Sequence, residues 1–517
     1  MAKRRLITYS ISCRGATVDV SWTASRPSEL AAPTILSRPL WFPPMTRLAP
    51  LCILLGLVTP AVAENWPQFR GPLATARPQH EQPLPAEIGP EANVVWKIEL
   101  PPGHSSPIVW NDRIFVTGVR DDKQLVTIAL DRVTGQTLWE VEAPHEKLEE
   151  IHEIGSHAQA TPATDGERVY SFFGSCGLFC YDFNGKLLWQ RAMGPFNNGF
   201  GAGSSPILDD DRVILCQDHD TDSFLLALDK VTGKELWKTD RSEFPRNYCT
   251  PVVWTIEGKK QIVVAATLRV VGYDLQTGRE LWTVRGIART VCASPTIGPD
   301  NTLYVASWAA GGDAGERIAL DPFDIILKEV DKNADAQIQE DELPTGPVKQ
   351  RYPQIDRDKT GGITRDEYEF FRGLFAQGKN NVIAIKPGGM GDVTESHVAW
   401  TQTRLVPFCA SPVYYDGTLF MIKDGGIMSS LNAVTGKPLK QSRLPATNEY
   451  YASPVAADGK IYCLNDEGKL TVTSAEASWQ TLHSADFGEP VHATPAIVGA
   501  NMYLRTASKL YCFGKAK

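Results

Sequence analysis

The chain has 517 residues, with 52 Lys and Arg against 60 Asp and Glu, so its net charge is −8 with neutral histidines. An acidic chain without a basic stripe argues against nucleic acid and against an anionic membrane surface as partners. The length would hold two to four average domains, or one large β domain built from repeats.

Residues 1–44 show no periodicity and read as an over-extended, disordered N terminus ahead of a true start at Met45. From Met45 the pattern is a secretion signal. Arg47 is the basic end, residues 48–58 are the apolar core, and Ala61-Val62-Ala63 is a small-residue cleavage site before Glu64. The apolar run is too short and too Pro-interrupted to span a membrane. The expectation is a periplasmic or secreted protein without a transmembrane span, cleaved after Ala63. Cleavage removes seven of the 52 basic and two of the 60 acidic residues, leaving 45 and 58, net −13. Residues 64–92 follow as an N-terminal arm.

A repeat then sets in. Ser/Thr-Pro recurs at Pro107, Pro162, Pro206, Pro251, Pro295, Pro412, Pro454 and Pro495, mostly 41 to 45 residues apart. The unit at 204–238 shows the content: an apolar pair after Pro206, an acidic turn, Val213-Ile214-Leu215, a polar loop, Phe224 to Leu228, a Thr232-Gly233 turn, and Leu236-Trp237. Four short antiparallel strands per period of about 43 residues is the pattern of a β-propeller blade. An outer-strand tryptophan is expected at Trp139, Trp189, Trp237, Trp282, Trp400 and Trp479, while Lys440 stands in that slot in the unit at Pro412. The last unit has only three strands, and residues 93–97 are expected to supply the fourth, closing a ring of eight blades without a free edge.

Segments such as IALDRVTGQTLW (128–139), LALDKVTGKELW (226–237) and GYDLQTGRELW (272–282) resemble the pyrroloquinoline-quinone-like (PQQ-like) propeller repeat family over roughly residues 65–512. The resemblance implies that each tryptophan stacks on the neighbouring blade. It implies either a non-catalytic scaffold or a quinoprotein dehydrogenase, since both use these repeats. The dehydrogenases of that family usually carry a vicinal Cys-Cys pair, and this chain has none.

The 117-residue gap between Pro295 and Pro412 holds an insertion. The repeat breaks after Ala319-Leu320-Asp321 and resumes near Asn381, and two twelve-residue loops lie between, 331–342 and 356–367. A calcium ion takes six to eight oxygens, which an EF-hand loop supplies from positions 1, 3, 5, 7, 9 and a bidentate Glu at 12. The candidate ligands are Asp331, Asn333, Asp335, Gln337 (carbonyl) and Glu342 in the first loop, and Asp356, Asp358, Thr360, Gly362 (carbonyl) and Glu367 in the second. Ile338 and Ile363 hold position 8, where paired loops join through a short bridge. Apolar residues at helical spacing precede each loop and follow the second. Ala336 replaces the turn glycine of the first loop, where a Cβ is disfavoured. Pro344 and Pro347 leave little room for a helix between the loops. Micromolar to millimolar affinity is expected, as in extracellular modules and weak sensors.

The fold class is therefore all-β: an eight-bladed β-propeller of four-stranded antiparallel blades, with a small α-helical EF-hand pair inserted in the fifth blade. The propeller occupies 93–320 (closing strand and blades 1–5) and 381–517, and the insertion 321–380. Other clusters carry less. Asp218, Asp220 and Asp222 read as a solvated hairpin turn, since no turn glycine follows. His145, Glu149, His152, Glu153 and His157 read as a polar rim loop, because HEIGSH is one residue too long for H-E-x-x-H. Most of the eight cysteines after the signal read as buried thiols, with Cys292 and Cys409 the best disulfide candidates. His104, Gln159, Tyr248, Cys292, Tyr451 and His492 stand just before the Ser/Thr-Pro pairs and should face the axial entrance, the usual ligand place of a propeller. The function expected is an exported, calcium-binding scaffold with a protein or glycan partner at the mouth. The alternative is a PQQ-dependent alcohol or sugar dehydrogenase with an atypical site.

Overall fold

The computed structural model describes residues 64–515 apart from Ala314. The expected signal at 45–63 and the stretch 1–44 lie outside the described residues. The blade pattern is plainest in Ile207–Asp209, Arg212–Gln217, Phe224–Asp229 and Glu235–Asp240, which pair antiparallel in that order. The two middle strands are nearly continuous in apolar residues because both of their faces are covered by neighbouring blades, and they are buried throughout except for Asp229. The outer strand alternates exposed and half-buried positions, as a strand with one covered face must. Asp229 closes the turn between them, its Oδ1 accepting both the Thr232 amide and hydroxyl at 2.7 Å.

Eight such sheets are present. Val94–Glu99 pairs with Lys509–Phe513 and completes the last one, so the ring closes on the N-terminal strand. The fourth sheet carries a short fifth strand, Gly391–Asp392, parallel to Glu280–Arg285. Among the described residues, no helix is long and apolar enough to cross a membrane.

Two repeated contacts hold blade to blade. The Trp189 indole donates to Lys230 O of the next blade at 3.2 Å, and its ring lies so close to Gly233 that a Cβ there would meet it at 2.7 Å. Gly233 also has φ +70, so the turn needs glycine for both space and backbone. The arrangement repeats from Trp96, Trp139, Trp237 and Trp400 onto Gly135, Gly185, Gly278 and Gly436. At the axis, the hydroxyl before seven of the eight prolines accepts the amide of the preceding blade's Ser or Thr at 2.9 to 3.0 Å, and that of Ser294 does not. The series runs Ser106→Thr161→Ser205→Thr250 and Ser294→Ser411→Ser453→Thr494→Ser106. This belt explains why the repeat begins with Ser/Thr-Pro: the hydroxyl accepts, and the proline starts a strand where no donor is needed.

Trp282 and Trp479 differ from the expectation: the Trp282 indole donates to Gln261 Oε1 and its ring lies on Gly272, both in its own blade. In the blade of Trp479 the register pairs Val472 with His483, so His483 fills the docking slot and Trp479 precedes the strand, under the Lys440 ammonium at 4.2 Å. The fifth blade also differs. Its second strand ends at Ser307 and its third is Asn381–Ile385, so Ala319-Leu320-Asp321 lies in the insert. No Thr-Gly turn follows that triplet. Instead Leu320 O and Asp321 O accept from Arg372 and Tyr368 of the insert's last helix.

The insert contains α1 (Phe323–Val330), α2 (Tyr352–Ile355) and α3 (Arg365–Gln377) around its own core of Phe323, Ile338, Ile355, Ile363 and Phe371. The arm 64–92 runs along the face that carries the first inter-strand turns. It bridges Trp66 to Val109 and Ala76 to Ala456. Arg70 is wholly buried and donates to Pro412 O and to Thr296 Oγ1, between the fifth and sixth blades.

Candidate functional site

The axis holds a cavity of about 560 Å³. His104, Gln159, Tyr248, Cys292, Tyr451 and His492 all line it, as their places before the Ser/Thr-Pro pairs lead one to expect. The arm contributes Phe69, so this end of the channel is a pocket rather than a pore. Phe200, Trp308 and Phe408 add rings, and Arg246, Arg289, Arg351 and Gln354 add polar groups. Sequence reasoning missed these, because none holds a repeated position of the blade pattern, and Gln354 in α2 and Arg351 just before it belong to the insert. The insert thus forms part of the mouth.

His104 and His492 stack with ring centroids 4.0 Å apart, and Tyr451 lies 5.2 Å from His492. Burial, with His492 and Arg505 nearby, pushes His104 down to about 3, and burial lowers His492 as well. Burial and Arg246 likewise push His219 to about 3. The unfolded chain protonates these rings near their ordinary value while the native state resists. Stability is therefore full above that value and falls as pH drops towards 3. Between about pH 7 and about pH 5, His104 and His219 should each remove roughly 2 kcal/mol from the unfolding free energy measured in urea. A His219→Gln variant should show a shallower loss by one such share. An unaltered slope would mean that His219 titrates alike in both states.

The segment Asp218 to Asp222, expected to be a solvated turn, is mostly buried. Asp218, His219 and Asp220 are each 2% exposed or less. Asp218 takes both arms of Arg241 at 2.8 Å in a pair with almost no exposure. Asp220 pairs with Arg246 and so places that guanidinium at the pocket. His219 stacks on Phe196 at 4.0 Å. The cover comes from the insert: Arg357 donates to Asp220 O at 2.8 Å and to Ser242 O at 3.1 Å, and Asn197 donates to Arg357 O at 3.1 Å.

Arg357 is the second residue of the loop 356–367. The two twelve-residue loops share one backbone form. Positions 4 and 6 have positive φ in both (Ala334 and Ala336, Lys359 and Gly361). Position 1 accepts the amide of position 6, and position 12 accepts those of positions 2 and 9, in both. Ile338 and Ile363 exchange backbone hydrogen bonds of 3.1 and 2.9 Å. The carboxylates differ. Oxygens of Asp356, Asp358 and Glu367 lie within 4.8 Å of one another. Those of Asp331, Asp335 and Glu342 do not meet this way, and the amides of Asn333 and Gln339 occupy Asp335. Ala336 at φ +65 adds strain that Gly361 avoids. Gln337 reaches towards Gly362, where a Cβ would meet its Oε1 at 2.1 Å.

The eight cysteines among the described residues are free thiols. Cys292 and Cys409, the best disulfide candidates, both line the pocket. The contact of their thiols, with burial, raises Cys409 well above its usual range. His145 and His157 are engaged with backbone carbonyls of Ala143 and Glu149.

The molecule is thus an eight-bladed propeller with an arm-sealed axial pocket and a helical insert at its mouth. Residues 89–199 and 152–307 match the PQQ-like repeat family described as outer membrane protein assembly factor BamB. No curated protein sequence matches the chain. Among solved structures, BamB from Moraxella catarrhalis is 13% identical with a TM-score of 0.53, covering 81% of this chain and 97% of its own. The computationally designed Ika8 protein is 10% identical at 0.50, covering 82% and 100%. A europium-containing methanol dehydrogenase is 9% identical at 0.45, covering 87% and 98%. At these identities the likeness concerns the fold.

Proposed function

We propose that this protein is an exported, calcium-binding propeller that acts as a binding scaffold, with a protein or glycan partner held at the axial mouth. The observation that carries the reading is the convergence of Asp356, Asp358 and Glu367 in one of two bridged loops, on an insert that also lines the pocket. Three carboxylates, the Gly362 carbonyl and the Thr360 hydroxyl are the hard oxygens that calcium takes, and the donor set lacks the nitrogen and sulfur of a transition-metal site. The first loop, with strained Ala336 and amide-filled Asp335, is the weaker of the pair. Export is supported by the signal pattern at 45–63. The family description, an outer membrane assembly factor, agrees with a scaffold role.

The test is a calorimetric and absorbance titration with calcium and then with pyrroloquinoline quinone. A calcium heat in the micromolar to millimolar range, with no quinone-dependent dye reduction on an alcohol or sugar, is expected. Tight one-to-one quinone uptake with dye reduction on an alcohol or sugar would move the protein to the quinoprotein dehydrogenases.

A further inference from the structure

The charge of the pocket is one-sided. Its lining includes three arginines and neither an aspartate nor a glutamate, in a chain whose acidic residues outnumber its basic ones. Arg246 is neutralised by Asp220. Arg289 and Arg351 are not: among the described residues neither has a carboxylate within ion-pair distance.

Both are half-buried, and the fully buried arginines are better satisfied. Arg241 has Asp218. Arg70 and Arg505 lack an acid but point their guanidinium ends at backbone carbonyls and hydroxyls 2.5 to 3.2 Å away. Among the described residues Arg289 makes only two long side-chain bonds, 3.5 Å to Thr290 Oγ1 and 3.4 Å to Ala310 O, and its Nε, like those of Arg70 and Arg505, has no partner. Arg351 makes one, 3.3 Å to Pro347 O. Both lie over the ring of Phe375, at 4.3 and 5.5 Å. Burial and the neighbouring Arg351 pull Arg289 down to about 10. Two half-buried cations at one pocket, with spare donors and no carboxylate beside them, leave those donors open to an anion that enters. The planar fork of arginine suits a carboxylate or sulfate.

We propose that Arg289 of the propeller and Arg351 of the insert form a clamp for an oxyanion carried on a ring, bound in the axial pocket. Trp308, Phe408 and Tyr451 supply flat faces for the ring, and the cavity volume suits a molecule of one or two sugar rings. The two arms come from different parts of the fold, so a bound anion ties the insert to the propeller. Arg351 directly precedes α2, and α2 ends at Ile355, next to Asp356 at the head of the second loop. Ordering that loop around calcium fixes the insert's arm of the clamp, so calcium and anion should each tighten the other. This link rests on the calcium reading above; the clamp does not.

The experiment is calorimetry on the full chain with glucuronate, inorganic sulfate and neutral glucose, in calcium and in chelator. Glucuronate should bind, sulfate more weakly, and glucose not at all. Arg289→Gln and Arg351→Gln should each weaken glucuronate about tenfold or more. Arg289→Lys keeps the charge without the fork and should fall between. Arg285→Gln, at an exposed arginine paired with Asp392, should change nothing. Equal heats from glucose and glucuronate, no heat from either anion, or wild-type affinity in both glutamine variants would overturn the clamp. Sulfate as tight as glucuronate would overturn the ring. Anion binding indifferent to calcium, in protein that binds calcium by direct titration, would overturn the link alone.

Discussion

Glu367→Gln is expected to weaken calcium binding at the second loop roughly a hundredfold, the scale of about 3 kcal/mol for a lost charged contact. The substitution is chosen because Glu367 has two tasks. With Thr364 it forms the capping box that starts α3, the Thr364 side chain accepting the Glu367 amide while the Glu367 carboxylate accepts the Thr364 amide. Glutamine keeps the box, since its carbonyl still accepts, so the helix should persist and circular dichroism should not change. What it removes is the second anionic oxygen beside Asp356 and Asp358. Glu342→Gln in the first loop should have a smaller effect, because its carboxylate does not converge with those of Asp331 and Asp335. Direct titration of both variants decides the matter. Wild-type affinity in Glu367→Gln would remove the second loop from the calcium reading, and equal losses would make the two loops equivalent.

Asp218→Ala is expected to destabilise the propeller by about 3–5 kcal/mol, measured as a fall in the urea midpoint. The alanine leaves Arg241 buried with no counter-charge, and Arg241 has no room to reach water, both partners being almost fully covered. Tyr273, the remaining side-chain hydrogen-bond partner of that guanidinium, is neutral. Pairing Asp218→Leu with Arg241→Met should recover much of the loss, since exchanging a buried ion pair for packed apolar groups is often neutral. A loss below about 1 kcal/mol in the single variant would show that the segment opens to solvent. Because the same segment positions Arg246 and receives Arg357, the variant should also weaken ligand binding in the pocket.

The repeat was legible because its signals are local and recur. A strand buried on both faces must be apolar throughout, a Thr-Gly turn follows it in four of the blades, and a hydroxyl precedes each proline at the belt. Each requirement leaves residues at a fixed spacing, so the number of blades and the closing strand at Val94–Glu99 could be read directly. The loop pair was legible for the same reason, and the Ile338–Ile363 bridge lies where position 8 places it. Spacing misled where a residue kept the interval but not the register. Trp479 sits near the docking slot, but the strand begins after it and His483 takes the place.

The sequence by itself determined the propeller, its closure, the insertion and the residues that face the axis, since all follow from periodicity. The tertiary structure alone decided that Asp218 and Asp220 are buried, that Phe69 lines the pocket, and that Arg289 and Arg351 both lie over the ring of Phe375. Those outcomes depend on which distant segments cover a loop and on which charges are left without partners. Desolvation and pairing are properties of a place in space, and they leave no spacing along the chain.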